Sequence, residues 1–328
     1  MLAYDWILII VIALAVILVW ELIYGVASVR LTPGQEFKFY YDINIYGDSN
    51  KMYSLLDEKN VLSYDVIEIK FENLTKEVNV LEARLSIQEG DVIFTDYEEP
   101  KDEEDKKIRL KQLVDNYYGY SYEQMLDDAK AYLTALMKDG VADAFAVDSY
   151  EQMLDNLDGA KIEALFRKRM KDDNRYREEK QILKGVKQET ERIEKLYGEV
   201  VKFNYLLSLK DSHSDLFYCY TRYEQTRDSQ EKQKDYETWD KIVQEEIAAG
   251  RENSIYALKV ASLSAYKNSE DKKDPSEYCK INGKDDATGV ALMVFNFKKY
   301  QPNLQYEAIS FINSIVESCS ALYDGLLK

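Results

Sequence analysis

Hydrophobic and polar positions alternate most clearly between Phe37 and Asp96, and the pattern predicts strand, helix, strand, helix, strand. In FKFYYDINI the positions Phe37, Phe39, Tyr41, Ile43 and Ile45 are apolar or aromatic, with Lys38, Asp42 and Asn44 between them. That is the period of two of a strand with one buried face. Asp48 or Ser49 can cap a short helix carrying Met52, Leu55 and Leu56 on one side. A second strand sets Ile67, Ile69 and Phe71 against Glu68, Lys70 and Glu72, and a second helix places Leu81 and Leu85 one turn apart. Gly90 suits the left-handed position that ends that helix. Val92, Ile93 and Phe94 do not alternate, which fits a central strand covered on both faces. The unit reads as βαβαβ with right-handed crossovers.

Ahead of it, Trp6 to Trp20 is uninterrupted apolar sequence, and past Glu21 the run continues to Val29. At about 1.5 Å per residue the longer stretch clears a bilayer core of roughly 30 Å. Tyr4, Trp6, Trp20 and Tyr24 resemble interfacial anchors. A buried core helix and a cleaved signal peptide are the competing readings. The expectation is an uncleaved, single-pass transmembrane signal anchor over residues 1–31, because the run is long and has no basic leader, and so a cell-membrane protein. Arg30 and Lys38 follow the run and vote for a cytoplasmic main domain.

Behind the βαβαβ unit, the charged run from Asp96 to Asp105 marks a boundary, and residues 108–265 carry an almost wholly helical pattern with no convincing strand. SYEQMLDD at Ser121 to Asp128 returns as SYEQMLDN at Ser149 to Asn156, which predicts two helix starts with Ser as cap and Met/Leu inward. Val186, Ile193, Val200 and Leu207 recur every seven residues, with Leu183 and Tyr197 alongside, as in a long helix packed on its neighbours. Gly289 to Phe297 reads as a buried strand, and a last helix presents Ala308, Phe311, Ile312, Ile315 and Val316 on one face. The expected architecture is α/β plus α: an anchor over 1–31, an α/β lobe from 32–100 and 266–328, and a helical lobe inserted over 101–265.

Composition narrows the function classes. The 328 residues are 46% apolar, ample for real cores, and 60 acidic against 43 basic residues give a net charge of −17. Such a balance argues against nucleic acid as the main partner. Cys219, Cys279 and Cys319 are far apart and exclude a disulfide scaffold or a cysteine zinc site. The single histidine, His213, sits in a polar run and reads as a solvated loop residue. Tyrosine is abundant at 27 residues, most of them expected as half-buried packing and a few as lining for a cleft. No GxSxG, HExxH, P-loop or GxGxxG occurs, so no enzyme, cofactor, metal or catalytic residue is expected.

Arg84-Leu-Ser-Ile-Gln-Glu-Gly-Asp91-Val-Ile-Phe-Thr-Asp96 resembles the helix, Gly-Asp, apolar strand, Asp segment of extracellular solute-binding proteins of bacterial ABC transporters. The strand Gly289 to Phe297 followed by Glu307 to Ile312 is similar to the segment by which those chains return to their first lobe. The resemblance is narrowest to membrane-tethered, clostridial-type variants, here with a degenerate second lobe. It implies a sheet order 2-1-3-n with the late strand antiparallel beside the third, and a main domain outside the membrane, against the charge vote. It also implies capture of a small solute for a transporter permease, with the lipid bilayer as a further partner. The alternative is a non-enzymatic scaffold whose helical lobe docks a membrane partner. In open parallel sheets ligands collect outside the carboxyl ends of the strands. Tyr46 and Tyr97 would there stack on a ligand ring, and Asp48, Thr95 and Asp96 would supply hydrogen bonds.

Overall fold

The computed structural model describes residues 10–20, 33–74, 78–97, 109–140, 145–220, 253–299 and 301–327. Within the described residues, helix α1 runs over 10–20, a stretch that at about 1.5 Å per residue amounts to roughly half of a bilayer core. Among the described residues no helix is long and apolar enough to cross a membrane. The expected transmembrane anchor is therefore corrected, and with it the assignment as a single-pass protein of the cell membrane. Residues 1–9 and 21–32, with the aromatic positions Tyr4, Trp6 and Tyr24, lie outside the described residues.

The sheet is built around β1 (Glu36–Tyr41), with β3 (Glu68–Asn73) and β4 (Val92–Asp96) parallel to it on either side. Strand β8 (Val290–Val294) runs antiparallel beside β4, and β6 (Ser254–Lys259) and β5 (Phe217–Tyr220) complete the order β3-β1-β4-β8-β6-β5. Strands β2 (Ile45–Gly47) and β7 (Cys279–Ile281) form a separate antiparallel pair. Helices cover both faces, so β1 is buried on both. Phe37, Phe39 and Tyr41 enter one apolar cluster and Tyr40 the other. Lys38 is 8% exposed because Glu36 and Glu89 hold its ammonium.

On one face lie α2 (Ser49–Glu58), α5 (Tyr122–Ala135), the 30-residue α8 (Glu179–Ser208) and α9 (Tyr306–Cys319), which share the larger cluster with β1, β6 and β8. The other face is covered by α3 (Val78–Ser86) and α4 (Arg109–Asp115), through Leu81, Leu85, Leu110, Leu113 and Val114. The β1-α2-β3 and β3-α3-β4 connections step in opposite directions along the sheet and use opposite faces, as a single handedness requires.

Residues 101–265 are not a purely helical insertion, because β5 and β6 fall within them and extend the same sheet. Phe217–Tyr220 and Ser254–Lys259 are short apolar-aromatic runs, too brief for their period to separate strand from buried helix. The repeated SYEQMLD also diverges. Ser121 caps α5, accepting from the Gln124 amide at 3.2 Å, and Met125 and Leu126 are buried. Ser149 makes no such cap, and its copy forms only the five-residue α6 (Tyr150–Leu154), with Met153 and Leu154 half-buried. Between α6 and α8, α7 (Gly159–Arg169) packs its Ile162 and Phe166 inward. Of the heptad positions, Ile193, Val200 and Leu207 are buried and Val186 is half-buried, while Leu183 on the adjoining seam is 54% exposed.

Candidate functional site

After β1 the chain turns toward α2 on one face, and after β4 it turns toward α4 on the other. Adjacent carboxyl ends whose chains leave toward opposite faces are the place where ligands bind in open α/β sheets.

Asp42 follows β1 directly, and its carboxylate is 1% exposed. It accepts hydrogen bonds from the Ile43 amide at 2.8 Å, the Thr95 hydroxyl at 2.8 Å and Arg109 Nε at 3.2 Å. Arg109 opens α4, and its main-chain amide donates to Asp96 Oδ1 at 3.3 Å. Asn44 Nδ2 donates to Asp96 Oδ2, also at 3.3 Å. The ends of β1 and β4 and the start of α4 are thus joined through two carboxylates and one guanidinium. A buried carboxylate needs this kind of pairing to remain charged, and the Arg109 side chain, 25% exposed, brings the network to the surface.

Beside it stands an aromatic wall. The Tyr97 amide donates to Gly289 O at 3.0 Å, fixing Tyr97 where β4 leaves the sheet. Its ring centroid lies 6.2 Å from that of Tyr218, and Tyr218 stacks in turn on Tyr220 at 6.4 Å. Lys259 Nζ sits 5.5 Å from the Tyr97 ring centre, within cation–π range. Tyr218 and Tyr220 alternate with Cys219 along β5, so both rings fall on the α4 face.

Thr95, Asp96 and Tyr97 therefore belong to one cluster, together with Asp42, Asn44 and Arg109. Thr95 is fully buried and its hydroxyl is spent on Asp42. Asp48 caps α2, accepting from the Asn50 and Lys51 amides at 3.0 and 3.2 Å. Tyr46 lies on the β2–β7 pair, 50% exposed, with Lys280 Nζ 6.0 Å from its ring centre. No hydrogen bond or ring contact among the described residues joins Tyr46 or Asp48 to Asp96. Asp42, Arg109 and Tyr218 are additions the sequence reading did not include. His213 lies against Tyr266, ring centres 4.9 Å apart. Among the described residues no group of three or more His, Cys, Asp or Glu is placed to hold a metal ion.

Burial pushes the Asp96 carboxyl above its ordinary value of 3.8 and nearby Asp42 adds to the rise, while Asn44 and Arg109 oppose it. A raised carboxyl disfavours the charged form in the folded state, so stability is lost as pH climbs above the unfolded value. Asp96→Asn removes that charge and keeps the shape. The variant should gain stability relative to wild type between pH 4 and pH 7 on the order-of-magnitude scale of carboxylate titration, read as melting temperature against pH. A variant that falls further behind wild type as pH rises would show that the ionised carboxylate stabilises the fold.

No protein-family model, no curated protein and no solved structure matches the chain.

Proposed function

We propose that this protein is a non-catalytic binding protein that holds a small solute in the crevice between the carboxyl ends of β1 and β4. The observation that carries the reading is the Asp42–Thr95–Arg109–Asp96 network at the divergence of the two chain exits, with the Tyr97 and Tyr218 rings beside it, 6.2 Å apart and tilted by 52°. A few fixed polar groups next to one aromatic surface are what a small-molecule site needs. The ligand this suits has a planar or ring-shaped body and a group that accepts from Arg109. The order β3-β1-β4-β8 also has the 2-1-3-n form expected of a solute-binding-like lobe, which adds support. Acid–base catalysis has less to work with, since Thr95 is internally bonded and the cluster has no histidine beside it.

The test is a thermal-shift screen of the described domain, starting near Leu31, against a library of amino acids, nucleosides, aromatic acids and sugars. A ligand at one hundred times its dissociation constant should stabilise by about 2.7 kcal/mol, a shift of several degrees. Tyr97→Ala should abolish the shift while changing the unliganded melting point by less than about 2 °C, because the ring is only partly buried. Silence across the library, or an unchanged ligand shift in Tyr97→Ala, removes the reading and favours a protein whose surfaces serve macromolecular contacts.

A further inference from the structure

The opposite end of the sheet carries a second concentration of charge. Between the loop that leads into β3, the amino-terminal half of α8 and the first residue of α9 lies a cavity of about 200 Å³. At about 30 Å³ per molecule of liquid water it has room for roughly six waters, or a carboxylic acid of a few carbons. One wall is Arg192, whose side chain is only 4% exposed. Its Nε and Nη2 donate to Glu189 at 3.0 and 2.7 Å, Nη2 also to the Tyr132 hydroxyl at 3.3 Å, and Nη1 to the Asn303 carbonyl at 3.1 Å. A guanidinium has five N–H groups, so these four bonds leave one without an acceptor among the described residues.

The buried charges around it do not balance on Glu189 alone. Arg169 Nη2 donates to Glu189 Oε2 at 2.9 Å and the Tyr64 hydroxyl to the same oxygen at 2.9 Å, so two guanidiniums share one carboxylate. The second acid is Glu307, in the first turn of α9 and 7% exposed. Burial pushes its carboxyl above the ordinary range, and a hydrogen bond from Ser63 and the Arg192 charge pull the other way. Asn60, Ser63, Gln188 and Lys195 line the cavity as further donors. Glu191 lines it as well, but is exposed on α8 one turn from exposed Lys195. The lining is rich in donors around one guanidinium N–H that has no acceptor among the described residues.

We propose that this cavity is a second binding site, which takes a small monocarboxylate whose oxygens accept from Arg192 and Lys195. The site is separate from the crevice at the carboxyl ends and does not depend on a ligand there. Glu307 is its internal competitor, a protein carboxyl already close to the same guanidinium.

The test uses thermal melts of the full chain titrated with sodium acetate, with sodium chloride and sodium sulfate at matched ionic strength as controls. Acetate should raise the melting temperature saturably beyond both controls. Arg192→Ala would break the buried pair and confuse stability with binding, so two milder variants carry the test. Lys195→Ala removes an exposed cation and should weaken the acetate midpoint by about threefold or more, a modest electrostatic loss. Glu307→Gln keeps the acceptor for Ser63, removes the competing charge, and should tighten the midpoint by about threefold or more. Superimposed acetate, chloride and sulfate curves overturn the proposal, as does an acetate midpoint that Lys195→Ala and Glu307→Gln leave unchanged or that Glu307→Gln weakens.

Discussion

Glu189→Gln is expected to lower the stability of the fold by about 3–5 kcal/mol, the cost of breaking a buried ion pair from one side. Both oxygens of Glu189 are in use, accepting from Arg192 at 2.7 and 3.0 Å, from Arg169 at 2.9 Å and from Tyr64 at 2.9 Å. With Gln there, the Arg192 guanidinium stays buried and faces an amide in place of a charge. The measurement is urea unfolding, where the midpoint should fall and the slope hold. Replacing Glu189 and Arg192 together by Met should cost less than the two single changes summed, since the fully buried guanidinium leaves with its carboxylate and only the part-exposed Arg169 loses a partner. A loss below about 1 kcal/mol for Glu189→Gln would show the pair to be well solvated. The acid limb gives an independent reading. Burial opposes ionisation of Glu189, but the bonds and charges of Arg192 and Arg169 and the bond from Tyr64 outweigh it, bringing its pKa from 4.5 to about 2. A depressed carboxyl contributes stability above its unfolded value and loses it as pH falls through the folded one. Between pH 4.5 and 2, wild type should therefore lose more stability than Glu189→Gln.

Strands and helices around the parallel core were legible because a period of two or 3.6 survives wherever a face is buried: β1, β3, β4, α2 and α9 lie where the alternation places them. Burial of β1 on its second face was not, because Lys38 and Asp42 read as solvent positions and are polar residues paired inside the protein. β5 was missed because four residues carry too few repeats to fix a period, and β6 because Ile255, Tyr256, Ala257 and Leu258 are apolar in a row and show no alternation. Gly90 was expected as the left-handed helix end, yet Gln88 takes that conformation at φ 55°, while Gly90, at φ 132°, enters β4 close under the Tyr40 ring. As for the crevice, Thr95, Asp96 and Tyr97 could be placed from the end of a strand, but Arg109 reaches Asp42 only through the fold, across 67 positions of sequence. One signal was available: FKFYYD and VIFTD both end an apolar strand on Asp, and parallel neighbours bring such ends together.

Gly47→Ala is expected to be the most damaging added methyl among the described glycines, costing about 3 kcal/mol, the upper end of ordinary overpacking. A Cβ on Gly47 would lie 2.1 to 2.3 Å from the Cζ and Cε atoms of Tyr41, far inside van der Waals contact. The ring has no room to retreat. It stacks on Phe94 at 4.9 Å and 9°, packs on Phe71 at 5.0 Å, and its hydroxyl donates to the Tyr278 carbonyl at 3.1 Å. Gly47 in turn is held in register opposite Cys279 in the β2–β7 pair, so the backbone that would have to move is the strand that carries the chain from Asp42 and Asn44 back toward α2. Stability and the crevice should therefore suffer together, with any ligand shift shrinking along with the unliganded melting temperature. Tyr41→Leu alone leaves a cavity and costs a few kcal/mol, but added to Gly47→Ala it should recover part of the loss, since the smaller side chain vacates the space the methyl needs. Denaturant unfolding of the two single variants and the double gives the coupling directly. Additive losses would mean that the strand yields to the methyl and that Tyr41 does not fix its position.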